Sequence, residues 1–151
     1  MDKKASRYQR VYAQLSELLK STTDIYARMA TINAILYHKM NGFFWVGFYL
    51  LKESELTVGP YQGPVACQVL AKNAGVCWAA INEVKEQIVP DVTKFPGHIA
   101  CDSRSKSEIA LPLYDDHQNI CGVLDVDSKE ENNFDQTDAE YLTKIIQLIH
   151  N

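Results

Sequence analysis

Residues Phe43–Leu51, FFWVGFYLL, constrain the fold more than any other stretch of this 151-residue chain. A run so dense in aromatic and branched residues favours a central β-strand. Successive side chains of a strand point to opposite faces, so Trp45 and Tyr49 share one face, while Phe44, Val46 and Phe48 take the other. Gly47 stands between the two odd aromatics and leaves their face open, as if a ligand or backbone approaches there. Lys52–Glu55 reads as a turn and Leu56–Gly59 as a returning strand, so the run opens a hairpin.

Helices are expected before and after this hairpin. Tyr8, Val11, Tyr12, Leu15, Leu18 and Leu19 recur at helical spacing over Tyr8–Lys20, opposite a charged face. A second helix, capped by Asp24 or a preceding Thr, carries Ile25, Met29, Ile32, Ile35 and Leu36 and ends at Asn41-Gly42. Beyond the hairpin, Pro60–Pro64 is an irregular link to a possible short strand at Ala66–Leu70. Ala74–Ile81 reads as a short helix with Cys77 near its N-terminus, where the helix dipole favours a thiolate. Gln87–Val89, Glu108–Tyr114 and Ile120–Val126 are strands, the last two joined by the polar turn Asp115–Asn119. Asp135 caps a final helix, Gln136–His150, whose apolar face is Ala139, Leu142, Ile145, Ile146 and Ile149. This order predicts an α+β fold, an antiparallel sheet with its helices gathered on one face. A single domain is expected, with N-terminal helices over 1–41, sheet and loop over 43–127 and a C-terminal helix over 135–150.

A net charge of −4 offers no basic footprint for nucleic acid. No apolar run approaches the roughly 18 residues of a membrane span, and the charged Met1–Arg10 does not read as a signal sequence. The expected compartment is therefore the cytoplasm. There, Cys67, Cys77, Cys101 and Cys121 serve better as thiols, metal ligands or reactive groups than as structural staples.

The segment Phe95–Glu108, FPGHIACDSRSKSE, does not build a core. It belongs to a long connection from Pro90 to Glu108, and connections beyond about 12–15 residues are usually functional or disordered. Within it, His98, Arg104 and Lys106 could stabilise a Cys101 thiolate. Cys121, inside a strand, reads as a small buried hydrophobe. A zinc site at the other three cysteines and His98 is disfavoured, because no Cys-x₂₋₄-Cys pair exists; redox chemistry needs only that two thiols meet in space. Glu108 leaves the loop, and Asp125 and Asp127 alternate along the hairpin partner of its strand, so the three acids should gather at one end of the sheet. Such a trio suits a cation, either Mg²⁺ or Ca²⁺ or an amine. Trp45 and Tyr49 form a wall for methyl, sulfur or cationic groups.

Together these residues resemble a free methionine-(R)-sulfoxide reductase, a small enzyme built on a GAF-type domain. The resemblance rests on WVGFY at Trp45–Tyr49, GPYQG followed by AC over Gly59–Cys67, GVC at Gly75–Cys77, PDV at Pro90–Val92, FPGHIACDSRSKSEI at Phe95–Ile109, GVLDVDS at Gly122–Ser128, and Phe134-Asp135. The long FPGHIACD…SEI block is its most specific part. It implies that Cys101 is the catalytic cysteine, Cys67 the principal resolving cysteine and Cys77 a third that can serve as an alternate. It also implies that Glu108, Asp125 and Asp127 hold the substrate ammonium and polarise the sulfoxide oxygen, with Trp45 and Tyr49 around the S-methyl group. No bound cofactor or metal is implied; reduction would come from thioredoxin and NADPH, and the chain would pair as a homodimer. Trp78 replaces the glycine more usual after GVC, and QGPVAC over 62–67 varies the usual pattern, both on the resolving side. A non-catalytic GAF-type sensor of a small molecule or of redox state is the alternative function.

Overall fold

The computed structural model describes residues 2–98 and 101–151. Its centre is a five-stranded antiparallel sheet in the order β2-β1-β5-β4-β3, as the α+β expectation requires. The strands are β1 (Trp45–Lys52), β2 (Glu55–Gln62), β3 (Gln87–Val89), β4 (Ser107–Tyr114) and β5 (Ile120–Ser128). The central position of β1 and β5 follows from their composition, since both are buried on two faces. β1 turns into β2 through Glu53 and Ser54, both at positive φ, a pairing whose twist matches that of the flanking strands.

Three helices cover one face: α1 (Lys3–Leu18), α2 (Ile25–Lys39) and α4 (Gln136–Ile146). Each starts at an aspartate, Asp2, Asp24 or Asp135, whose side chain accepts from backbone N–H groups of the first turn. Their apolar stripes meet Val46, Phe48, Leu50, Ile109, Leu111, Leu113, Leu124 and Val126 in one core. Several polar groups that this face buries are paired, although Asn33 Oδ1 has no partner among the described residues. The Tyr8 hydroxyl donates to Asp138 at 2.6 Å, Lys4 reaches the same carboxylate at 2.8 Å, and Arg28 donates to the carbonyls of Thr22, Leu148 and Ile149.

The structure differs from the sequence expectations in five places. Helix α3 (Gly75–Glu83) packs on the opposite face of the sheet, so the helices are not all gathered on one side. Its residues Val76, Cys77, Trp78 and Ala80 are all buried, and helical periodicity does not say which face of a sheet a helix covers. β2 continues through Pro60 to Gln62, a proline being tolerated on an edge strand, with the register shifting opposite Gly47 and Tyr49. Ala66–Leu70 contributes a single bridge, Val69 to Thr57, instead of a strand. Leu18 is exposed, as α1 gives way to a tighter turn over Leu19–Ser21; α4 likewise tightens after Ile146. Phe44 lies just outside β1 and turns to the face opposite Val46 and Phe48.

Candidate active site

On the α3 side of the sheet the register assembles the acids row by row. Trp45, Asp127 and Glu108 are cross-strand partners on β1, β5 and β4, and Gly47, Asp125 and Ala110 form the next row. The period of two puts Asp125 and Asp127 on this face and sends Val126 into the helix-covered core. All three acids line a cavity of about 230 Å³ whose wall also includes Cys67, Cys77, Cys101, His98, Trp45 and Tyr49. Every one of the eight residues singled out for chemistry therefore borders one space.

Gly47 has a different use from the one expected. A Cβ there would collide with Tyr61 and with the Trp45 ring, so the missing side chain makes room for aromatic stacking, not for a ligand. Trp45 stacks between Tyr49 and Tyr61, with ring centroids 5.7 and 5.3 Å away. The polar ends of the wall hold the segment before Cys67. Trp45 Nε1 donates to the Pro64 carbonyl and the Tyr49 hydroxyl to the Cys67 carbonyl, each at 3.1 Å. Tyr61 and these bonds escaped sequence analysis, because Tyr61 lay in what read as an irregular link.

Cys67 and Cys101 form a disulfide, with Cα atoms 5.6 Å apart and a sequence separation of 34. Cys101 is exposed and Cys67 half-buried, so the bond sits at the rim of the cavity. The segment after Cys101 is fastened locally. Arg104 forms a two-pronged pair with Asp102, at 2.9 and 2.6 Å, and lies 4.9 Å over the Phe44 ring. These hydrogen bonds hold the Asp102 carboxyl down at about 2. Arg104 is thus engaged by Asp102, and burial lowers the pKa of His98, which favours its neutral form. Their expected support for a thiolate is correspondingly reduced. Of the FPGHIACD block, Ile99 and Ala100 lie outside the described residues.

The floor is chemically unusual. Burial, then the charges of Asp125 and Asp127, raises the Glu108 carboxyl well above the ordinary range. Asp127 is also raised well above its usual value, by burial first and then by Asp125 and Asp102. Asp125 is raised too, but hydrogen bonds from Glu108 and Cys77 work against burial there. One of its oxygens, Oδ1, has no hydrogen-bond partner among the described residues. The floor thus gathers three carboxyls, all shifted toward the protonated form, with hydrogen bonds restraining that shift at Asp125. Donor atoms of Cys77, Glu108 and Asp125 lie within 4.8 Å of one another, close enough to hold a cation. Cys77 itself is 4% exposed, and its thiol is pushed well up by burial and by the three acids. This overturns the expectation of a thiolate at the α3 N-terminus. A helix terminus contributes about 0.3–1 kcal/mol, whereas full burial can move a pKa by about 3–5, at about 1.4 kcal/mol each.

This fold, with a small-molecule cavity between a sheet face and a short helix, is that of a GAF domain, and residues 15–150 match the family model of that description. The chain belongs to the GAF-domain family and, within it, to the free methionine-R-sulfoxide reductases. It is 50% identical to GAF domain-containing protein A of Dictyostelium discoideum, over 98% of this chain and 93% of that one. It is 40% identical to the free methionine-R-sulfoxide reductase of Escherichia coli, over 89% of this chain and 84% of that protein. The X-ray structure of the free methionine-R-sulfoxide reductase of Neisseria meningitidis in complex with its substrate superposes with a TM-score of 0.93 at 39% identity, covering 99% of this chain and 90% of that one.

Proposed function

We propose that this protein reduces free L-methionine-(R)-sulfoxide to methionine by thiol chemistry. The observation that carries this reading is the Cys67–Cys101 disulfide on the wall of a cavity that also holds three acids. A sulfoxide yields its oxygen only if that oxygen is protonated while a nucleophile attacks sulfur. The Cys101 thiolate attacks, and a neutral carboxyl, Glu108 or Asp127, supplies the proton. Attack joins the two sulfurs, the hydroxyl passes to the Cys101 sulfur as the S–O bond and the new S–S bond break, and methionine leaves while Cys101 remains as a sulfenic acid. The Cys67 thiol condenses with it, releasing water and forming the disulfide.

Asp125 pairs with the substrate ammonium, and this pairing explains a preference for the free amino acid. A peptide-bound residue has no α-ammonium to offset buried carboxylates, which are costly alone. Trp45 and Tyr49 enclose the S-methyl group. An external dithiol closes the cycle by thiol–disulfide exchange; the proposed reductant is thioredoxin recharged by NADPH. The proposal includes a cytoplasmic setting, which rests on the absence of a span-length apolar run and on the charged N-terminal segment, and a homodimer, which rests on the family resemblance.

NADPH-coupled turnover tests it, with free and N-acetylated methionine-(R)-sulfoxide offered to wild type and Cys101→Ser. Turnover of the free compound alone, abolished in Cys101→Ser, is expected. Equal turnover of the acetylated compound, or activity that survives in Cys101→Ser, would contradict it.

A further inference from the structure

Cys77 is the one buried nucleophilic group at the site that the proposed cycle leaves without a task. It stands in the first turn of α3 with its thiol directed at the acids of β4 and β5. The Sγ–H donates to Glu108 Oε2 at 4.0 Å, the long end of the range for a thiol donor. Asp125 is within reach of the same thiol, and the bond between them helps keep the Asp125 carboxyl from rising further. Asp125 is 5% exposed, and its Oδ1 is free of protein partners among the described residues, aimed into the cavity. The groups that face Cys77 are Glu108, Asp125 and Asp127 from the sheet and, on β1, the Tyr49 hydroxyl.

We propose that Cys77 is a positioning residue for ammonium recognition: its S–H donates to Glu108 and its sulfur packs against Asp125, which together fix the carboxyl that the substrate amine engages, and Cys77 takes no part in disulfide exchange. The inference rests on the reductase reading and reassigns the third cysteine within it. A resolving cysteine must be ionised and must reach the sulfenic acid. Cys77 instead lies buried among three acids, which oppose a thiolate, while Cys101 already pairs with Cys67. With the S–H present, the Asp125 carboxylate keeps one oxygen bonded and offers the other to the amine. Without it, Asp125 keeps only its hydrogen bond with Glu108, and its carboxyl more readily holds a proton that must leave on binding.

The experiment compares wild type, Cys77→Ser and Cys77→Ala. Three readouts are needed: methionine per protein in a single turnover, thioredoxin-coupled kcat and KM, and the pH profile of kcat/KM. Serine restores a donor but not a redox-active thiol. All three proteins should release one methionine and form the Cys67–Cys101 bond. Cys77→Ser should stay within about threefold of wild-type kcat/KM. Cys77→Ala should lose about tenfold, mainly in KM, with the acid limb of its profile moved to higher pH. Calorimetric binding of methionine to the Cys77→Ala, Asp125→Asn and double variants then shows whether the alanine penalty disappears when Asp125 is already neutral, as the inference requires. Thioredoxin-coupled turnover lost equally in Cys77→Ser and Cys77→Ala, with methionine release intact, would overturn the inference and make Cys77 a relay thiol. A Cys77→Ala variant matching wild type in KM and pH profile would also overturn it. Wild-type protein that makes no methionine would overturn the reductase reading and this inference together.

Discussion

The two faces of the sheet bury polar groups in opposite ways. On the helix-covered face, Asp138 has Tyr8 and Lys4, and Arg28 donates to four backbone oxygens, of Thr22, Leu148, Ile149 and Asn151. On the cavity face, Glu108, Asp125 and Asp127 crowd together with no basic partner among the described residues, and Asp125 Oδ1 has no partner at all. One face pairs its polar anchors, and the other leaves a buried carboxyl oxygen unpaired, where the proposed substrate ammonium would bind. The same strands serve both, because alternation along β5 delivers Leu124 and Val126 to one side and Asp125 and Asp127 to the other.

The comparison can be broken first at the helix-covered face. Phe48 is fully buried in the helix-covered core. Phe48→Ala should cost about 3–5 kcal/mol, a large share of the roughly 5–15 kcal/mol typical of a domain. Chemical denaturation measures it, and KM of the remaining folded fraction should not change. Asp138→Ala, which strands Tyr8 and Lys4, should cost less, about 2–3 kcal/mol, again without an effect on KM. A loss of substrate affinity in either variant would show that the faces are not independent.

The cavity face should respond with the opposite sign. Glu108→Gln removes an acid that is costly to ionise in place, so it should lose activity yet raise the unfolding midpoint at pH 8 by a few degrees, about 2–4 °C per kcal/mol in a chain of this size. The pH dependence follows from linkage. A carboxyl raised on folding binds more protons in the native state, so its contribution is present below its unfolded value of about 4.5 and is lost as pH rises through its folded value. Asp135 on the other face behaves conversely. Although burial works against the shift, Lys4 and backbone N–H groups lower its carboxyl, so its contribution is lost as pH falls. Thermal melts between pH 5 and 8 should show the wild-type midpoint falling with pH and Glu108→Gln falling less; parallel curves would contradict the assignment. The smallest effect is expected from Arg104→Ala. It removes an exposed ion pair with Asp102 and the contact with Phe44, and surface pairs are worth about 0–1 kcal/mol. The unfolding midpoint should hardly move.

Much of this arrangement was legible in the sequence where a strict period applies. Val46 and Phe48 parted from Trp45 and Tyr49, and Asp125 and Asp127 joined Glu108, because strand alternation leaves no other choice. Phe44 misled by one residue: its N–H bonds to Asp127 before β1 begins, so alternation does not yet bind it. The side of the sheet taken by α3 was not legible, since it depends on how the chain crosses, not on any pattern within GVCWAAINE. Gly47 was recognised as special but for the wrong neighbour, because the stack of Trp45 on Tyr61 spans two strands that sequence does not place in register. The pairing of Cys67 with Cys101 came from the family resemblance; nothing local to either residue specifies it. The state of Cys77 was misjudged because helix position was visible and the facing acids were not weighed.

The most direct measurement is a single turnover of fully reduced protein with each diastereomer of free methionine sulfoxide, scoring methionine, remaining thiols and the disulfide-linked peptide. The account predicts one methionine from the R form only, the loss of two thiols, and a peptide joining Cys67 to Cys101. No methionine from either form, despite a thermal shift on binding, would contradict it and leave a ligand-binding GAF domain without the chemistry.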